Sequence, residues 1–393
     1  MKPQAKTRQY EIDWIRIILI LSVFIYHLGM IFNTWDWHIK SDAQVEGLTY
    51  FMDFFHNWRM SLLFLVSGAG TYYALGVRSF SQYTSERAKK LLIPFIAGII
   101  LLVPVQVYIE KSGQYPSLFH FYPHMFDGSY PSGNFSWHHL WFILYLFTMS
   151  LLAIPFIWFF RSSRGQKLYA YLERLAGFKG ALISLAIPIL LSQLILRPYY
   201  PRETHSLHDD WAFYTLFFFY FLYGYLLLSN VVIKKQLLQQ RRLHLLVAFL
   251  FTIGKYVPAY LFSSDKMVNT VSGISTIFMS WTISLVILGY AQKYLRKDNP
   301  WRPVLNEAIY PFYLLHQPIL IIVANYILPM NFGILTSFSL IMVISLILII
   351  TVYYTLVYPF NSVRVIFGMK PLQNSKRKAL ALSFAGRNHE KQK

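Results

Sequence analysis

The sequence predicts an all-α fold, a polytopic transmembrane helical bundle of about ten spans with both termini cytoplasmic. Composition, run length and charge placement each point there. Of 393 residues, 55% are hydrophobic and only 13% charged, about half the charge of an ordinary soluble domain. The apolar residues fall in runs near 20 long, and a helix rising ~1.5 Å per residue needs about that length to cross ~30 Å of hydrocarbon. Spans are expected at about 13–33, 50–77, 91–110, 139–160, 179–197, 211–229, 243–262, 269–291, 303–328 and 332–356. With the N-terminus inside, 28 of the 36 Lys and Arg residues fall on cytoplasmic segments and 5 on the opposite side. That bias is the usual orientation signal of a membrane protein. It also explains the net charge of +19 without a nucleic-acid partner.

The absence of cysteine excludes disulfides, thiolate zinc sites and cysteine nucleophiles. The first apolar run is too long for a signal-peptide core and is expected to be retained. Residues 1–362 form the expected transmembrane domain. Residues 363–393, with SKRK, form a basic cytoplasmic tail suited to anionic lipid.

Ionisable groups inside spans are costly and mark functional candidates. The first span carries Arg16 and His27. Eleven helical steps of ~100° bring both to one face, ~16 Å apart along the axis. Asp13, one turn before Arg16, is placed to orient it. The second span opens with Asp53, His56 and Arg59 on one face, beside Trp58. Arg59 lies ~14 Å down the helix, too deep for a surface anchor. Ser67, Gly68 and Gly70 would let a helix or ligand approach closely.

The third span enters through SERAKKLLIPF, where Arg87, Lys89 and Lys90 form a basic rim. Such a rim attracts phosphates, and equally serves as an orientation signal. The fourth span begins with His138, His139 and Trp141. The ninth holds Tyr313, His316 and Gln317, with Pro318 interrupting its hydrogen bonding. Seven of the twelve histidines sit on the outer side with many aromatics, a surface suited to carbohydrate and equally to an interfacial aromatic belt. No HxxxH or HxxE pair lies within a span, and no metal is expected.

The segments YEIDWIRIILILSVFIYHLGMIF, NWRMSLLFLVSGAGTYYAL, ERAKKLLIPF, HHLWFILYL and AIYPFYLLHQP resemble the acyltransferase-3 family of membrane-bound O-acyltransferases, in the family's order and over nearly the whole chain. The chain is most similar to the branch that includes succinyltransferases of periplasmic glucans. One departure is Lys90, where relatives often carry a second arginine; lysine keeps the charge but loses the bidentate fork.

The resemblance implies a bacterial inner-membrane enzyme that moves an acyl group from cytosolic acyl-CoA, succinyl-CoA or acetyl-CoA, to a hydroxyl of an extracytoplasmic glycan. For that chemistry His27 is the candidate general base, with an acyl-histidine intermediate as the open alternative route, and Arg59, His316 or Tyr313 are the candidates to stabilise the oxyanion. Arg16, Arg87, Lys89, Lys90 and Ser67 are the expected donor-binding residues. Asp53, His56, Trp58, His138, His139 and Trp141 are the expected acceptor-binding residues. Membrane lipid is the expected surrounding partner, and oligomeric state is not readable. A secondary transporter or exporter would also carry intramembrane Arg, His and broken helices, and a non-catalytic receptor would share the composition.

Overall fold

The computed structural model describes residues 9–262 and 265–372. The described chain is helical throughout, with one isolated β-bridge between Ser129 and Phe135. The helices are α1 (Tyr10–Met30), α2 (Glu46–Leu75), α3 (Phe80–Arg87), α4 (Ile93–Leu101), α5 (Val103–Glu110), α6 (Leu118–Phe121), α7 (Trp141–Arg161) and α8 (Ser163–Gly177). They continue as α9 (Ala186–Leu196), α10 (Trp211–Ser229), α11 (Val231–Leu261), α12 (Lys266–Tyr294), α13 (Trp301–Ile327), α14 (Ile334–Val352) and α15 (Asn361–Ile366).

Eight helical segments among the described residues are long and apolar enough to cross a membrane. The two remaining expected spans are helical but atypical. The second coincides with α2, which is 30 residues long and carries Asp53, His56 and Arg59. The fifth coincides with the apolar stretch Ala181–Leu196, shorter than the ~20 residues that span hydrocarbon unaided. Several span helices turn large apolar side chains outward. Leu245, Leu246, Phe249 and Leu250 of α11 are all exposed, an arrangement stable against lipid and not against water. The chain is a multi-pass membrane protein.

Contacts divide the chain into two units, one made of the residues up to 19 with 50–85 and 145–302, the other of 20–49, 86–144 and 303 onward. In the first unit α2 and α10 pack backbone to backbone. A Cβ added at Gly68 would lie 1.8 Å from the Phe221 carbonyl oxygen, and one at Gly224 would lie 1.8 Å from that of Leu65. Gly68, one of the residues expected to admit close approach, therefore admits a helix. In the same unit α11 and α12 form an antiparallel pair, Gly289 facing Leu237 and Gly254 facing Ser275.

At the start of α10 the Tyr145 hydroxyl donates to Asp210 Oδ2 at 2.6 Å. Asp210 Oδ1 is buried without a hydrogen-bond partner, and burial pushes the carboxyl up to about 6. A raised carboxyl binds its proton more tightly folded than unfolded, so the stabilisation it gives is complete below ~4 and lost as pH rises through about 6. Asp210→Asn lacks this dependence. Thermal unfolding in detergent should show wild type losing stability relative to Asp210→Asn between pH ~4 and ~6; parallel curves would refute the assignment.

In the second unit the later half of α1 packs on α13 and α14. Phe24, Leu28, Ile31 and Phe32 meet Leu315, Leu320, Val323 and Ile341 in a buried cluster. Residues 363–372, the described part of the expected tail, include the end of α15 and a buried Arg364 that donates to Glu307 and to the Lys370 carbonyl. The SKRK stretch lies outside the described residues.

Candidate active site

The second unit gathers four of the sequence-predicted residues, and a proline explains how. Pro318 has no N–H, so the Leu314 carbonyl of α13 loses its usual helical donor. His139 Nε2 lies 3.2 Å from that carbonyl and donates to it. The Tyr313 hydroxyl returns a bond to the His139 carbonyl. This reciprocal pair ties the start of α7 to α13, and leaves buried His139 Nδ1 with its lone pair and no hydrogen-bond partner.

The same helix turn fixes the tautomer of His316. Its Nδ1 is 2.5 Å from the Tyr313 carbonyl. A carbonyl only accepts, so Nδ1 carries the proton and Nε2 the lone pair. His27 Nδ1 is 2.8 Å from His316 Nε2 and must be the donor of that bond. The lone pair of the His27 ring is therefore on Nε2. The His27 ring lies near-parallel to His316 (5.0 Å, 9°) and to Trp37 (5.8 Å, 19°). His316 is buried, whereas His27 is only half-buried. A buried acceptor behind an accessible imidazole is the arrangement of an oriented general base. Tyr313, an expected oxyanion donor, instead spends its only proton on the His139 carbonyl. His139, expected at the acceptor, braces α13, with its ring 5.3 Å from that of His316.

The basic rim belongs to this unit as well. Pro94 cannot donate to the Lys90 carbonyl, and the helix widens there into a π-turn over Ala88–Leu92. Lys89 and Lys90 are exposed and Arg87 half-buried; Lys90 is 3.6 Å from Glu86. Trp141 is buried. His138 is held by Ser136 Oγ, 2.7 Å from its Nδ1, and faces Glu110.

The remaining candidates lie in the first unit. Asp13 is 3.8 Å from Arg16 but makes its closer bond, 2.9 Å, to Arg302. Buried Arg302 also donates to Asp298 at 2.7 Å and lies over the Tyr10 ring. Sequence reasoning missed Arg302 because it counted there as one more loop charge. Arg16 lies against α2, with its guanidinium 3.5 Å from where a Cβ on Gly70 would sit. Ser67 Oγ donates back to the Leu63 carbonyl at 2.8 Å.

Asp53 accepts from Lys255 at 2.5 Å and from the Tyr256 hydroxyl at 2.7 Å. His56 Nε2 is 2.9 Å from Glu203, which also meets His205 at 3.0 Å. Burial alone would raise the Glu203 carboxyl, but the two imidazoles outweigh it and hold the group well below the usual range. Arg59 and Trp58 are buried, and Trp58 Nε1 has no hydrogen-bond partner. His56 lines a cavity of about 610 Å³ within this unit, together with Asn57, Gln193, Arg197, Glu203 and Tyr220.

A family profile described as an acyltransferase domain matches residues 9–357. The chain belongs to the acyltransferase-3 family. It is a membrane acyltransferase, as the ordered motifs and the helical bundle lead one to expect. The acyltransferase is similar to proteins named Glucans biosynthesis protein C. That from Escherichia coli is 25% identical over 344 residues, 84% of this chain and 86% of the relative. That from Salmonella schwarzengrund is 26% identical over 335 residues, 82% and 85% of the two chains. No solved structure matches the acyltransferase.

Proposed function

We propose that the protein is an O-acyltransferase of the bacterial cytoplasmic membrane that carries a succinyl or acetyl group from cytosolic acyl-CoA to a hydroxyl of an extracytoplasmic glycan. The observation that carries the chemistry is the 2.8 Å bond between His27 Nδ1 and His316 Nε2, which leaves His27 Nε2 a base. A sugar hydroxyl needs such a base at neutral pH. His27 Nε2 takes the hydroxyl proton as the oxygen attacks the thioester carbonyl. The new C–O bond forms, the C–S bond breaks, and coenzyme A leaves as a thiolate that takes up a proton. His316 stabilises the imidazolium through the same hydrogen bond.

Arg87, Lys89 and Lys90 are the cationic groups for the coenzyme A phosphates. The glycan acceptor is suggested by the names of the relatives, and the polar and aromatic lining beside His56 suits a sugar. Purified protein in liposomes should transfer label from succinyl- or acetyl-CoA to a glycan fraction. Failure with both donors, together with no binding of coenzyme A, would move the assignment to a transporter.

A further inference from the structure

We propose that His38, Glu110 and His138 form a divalent-metal site, with Zn²⁺ as the fitting ion. One ligand atom from each lies within 4.8 Å of the others. His38 Nδ1 is 3.0 Å from Glu110 Oε2, and His138 Nε2 is 3.8 Å from the same oxygen. Tetrahedral zinc with bonds near 2.0–2.1 Å holds its donors ~3.3 Å apart, a value these separations bracket. Two imidazoles and one carboxylate, with water in the fourth position, form a donor set that zinc commonly takes.

A bland alternative is a His38–Glu110 ion pair with a neighbouring packed histidine. That accounts for His38 but not for His138. The His138 side chain is 1% exposed, and its Nε2 has no hydrogen-bond partner although it is aimed at Glu110. The supporting bonds are those a metal ligand requires. Ser136 Oγ sits 2.7 Å from His138 Nδ1; accepting that proton, it leaves the Nε2 lone pair facing the cluster. The Tyr130 hydroxyl donates to Glu110 Oε1 at 2.5 Å, which fixes the carboxylate and leaves Oε2 for the ion. Such outer bonds orient metal ligands and tune their basicity. The His38 and His138 rings stack at 4.3 Å, which brings both imidazoles to the same side of Glu110.

The three residues come from three separate segments: the loop after α1, the last residue of α5, and the turn that opens α7. Their chain neighbours are the walls of the proposed catalytic pair. Trp37, beside His38, stacks on His27, and His139, beside His138, contacts His316. An ion held there clamps both walls in place.

The test is metal content and metal binding by the full-length protein in detergent. Chelator-treated wild type should take up about one Zn²⁺ per chain. Substituted Co²⁺ should show the intense visible bands of a tetrahedral nitrogen–oxygen site. His138→Ala and Glu110→Gln should each lower zinc affinity at least tenfold. His124→Ala should bind as wild type does, since His124 pairs with Asp127 on an exposed loop. A wild type that takes up neither ion overturns the proposal, as does unchanged binding in the His138 and Glu110 variants. The wild-type cobalt spectrum decides the matter even where a variant fails to fold.

Discussion

His27→Ala is expected to lower acyl transfer by ~10²–10⁴-fold, the usual worth of a positioned general base, while leaving the fold intact. His27 is half-buried at the edge of the cluster and hydrogen-bonds His316, so its removal takes little packing with it. His316→Ala should also reduce transfer, because His27 then loses the acceptor that fixes its tautomer. The two losses should not add, since both act through one bond. Transfer rates of the two single variants and the double variant, with elution profiles to confirm folding, check this. Retained activity in His27→Ala would remove the base from the account.

Gly68→Leu and Gly224→Leu are expected to have the largest effect on stability. At both positions the atom met at 1.8 Å is a backbone oxygen of the facing helix, so no rotamer change relieves the clash. Overpacking that side chains can absorb costs ~1–3 kcal/mol; here α2 and α10 must separate, and a loss above ~3 kcal/mol should leave little folded protein. Gly47→Ala is the control. A Cβ there meets nothing within 4 Å, and the change should be neutral or stabilising by up to ~1 kcal/mol. Yields and melting temperatures in detergent separate the two classes.

These outcomes show which parts of the protein the sequence carries openly. The helices were legible because hydrocarbon imposes a length and a composition, and most lipid-facing runs satisfy both. Ala181–Leu196 is too short to do so, and α2 too charged, because the groups that burden it pair within the bundle: Asp53 with Lys255, His56 with Glu203. Those pairings link residues far apart in the chain, and no local pattern encodes them.

The candidate site was half legible. His27 and His316 stood out as ionisable groups in apolar runs. Pro318 signalled a broken ladder, though not that His139 would take the freed Leu314 carbonyl. In sequence the nearest positive charge to Asp13 is Arg16, whereas the closer partner in the fold is Arg302. Glu110 gave no signal at all. It looks like a helix-terminal acid until His38 and His138 are brought beside it.

The most direct test of the central claim is release of coenzyme A thiol by wild-type protein mixed with acyl-CoA, with and without glycan acceptor. A general base at His27 predicts release only when acceptor is present, one thiol for each acyl group transferred. A burst of one equivalent without acceptor, leaving an acylated His27, would contradict it.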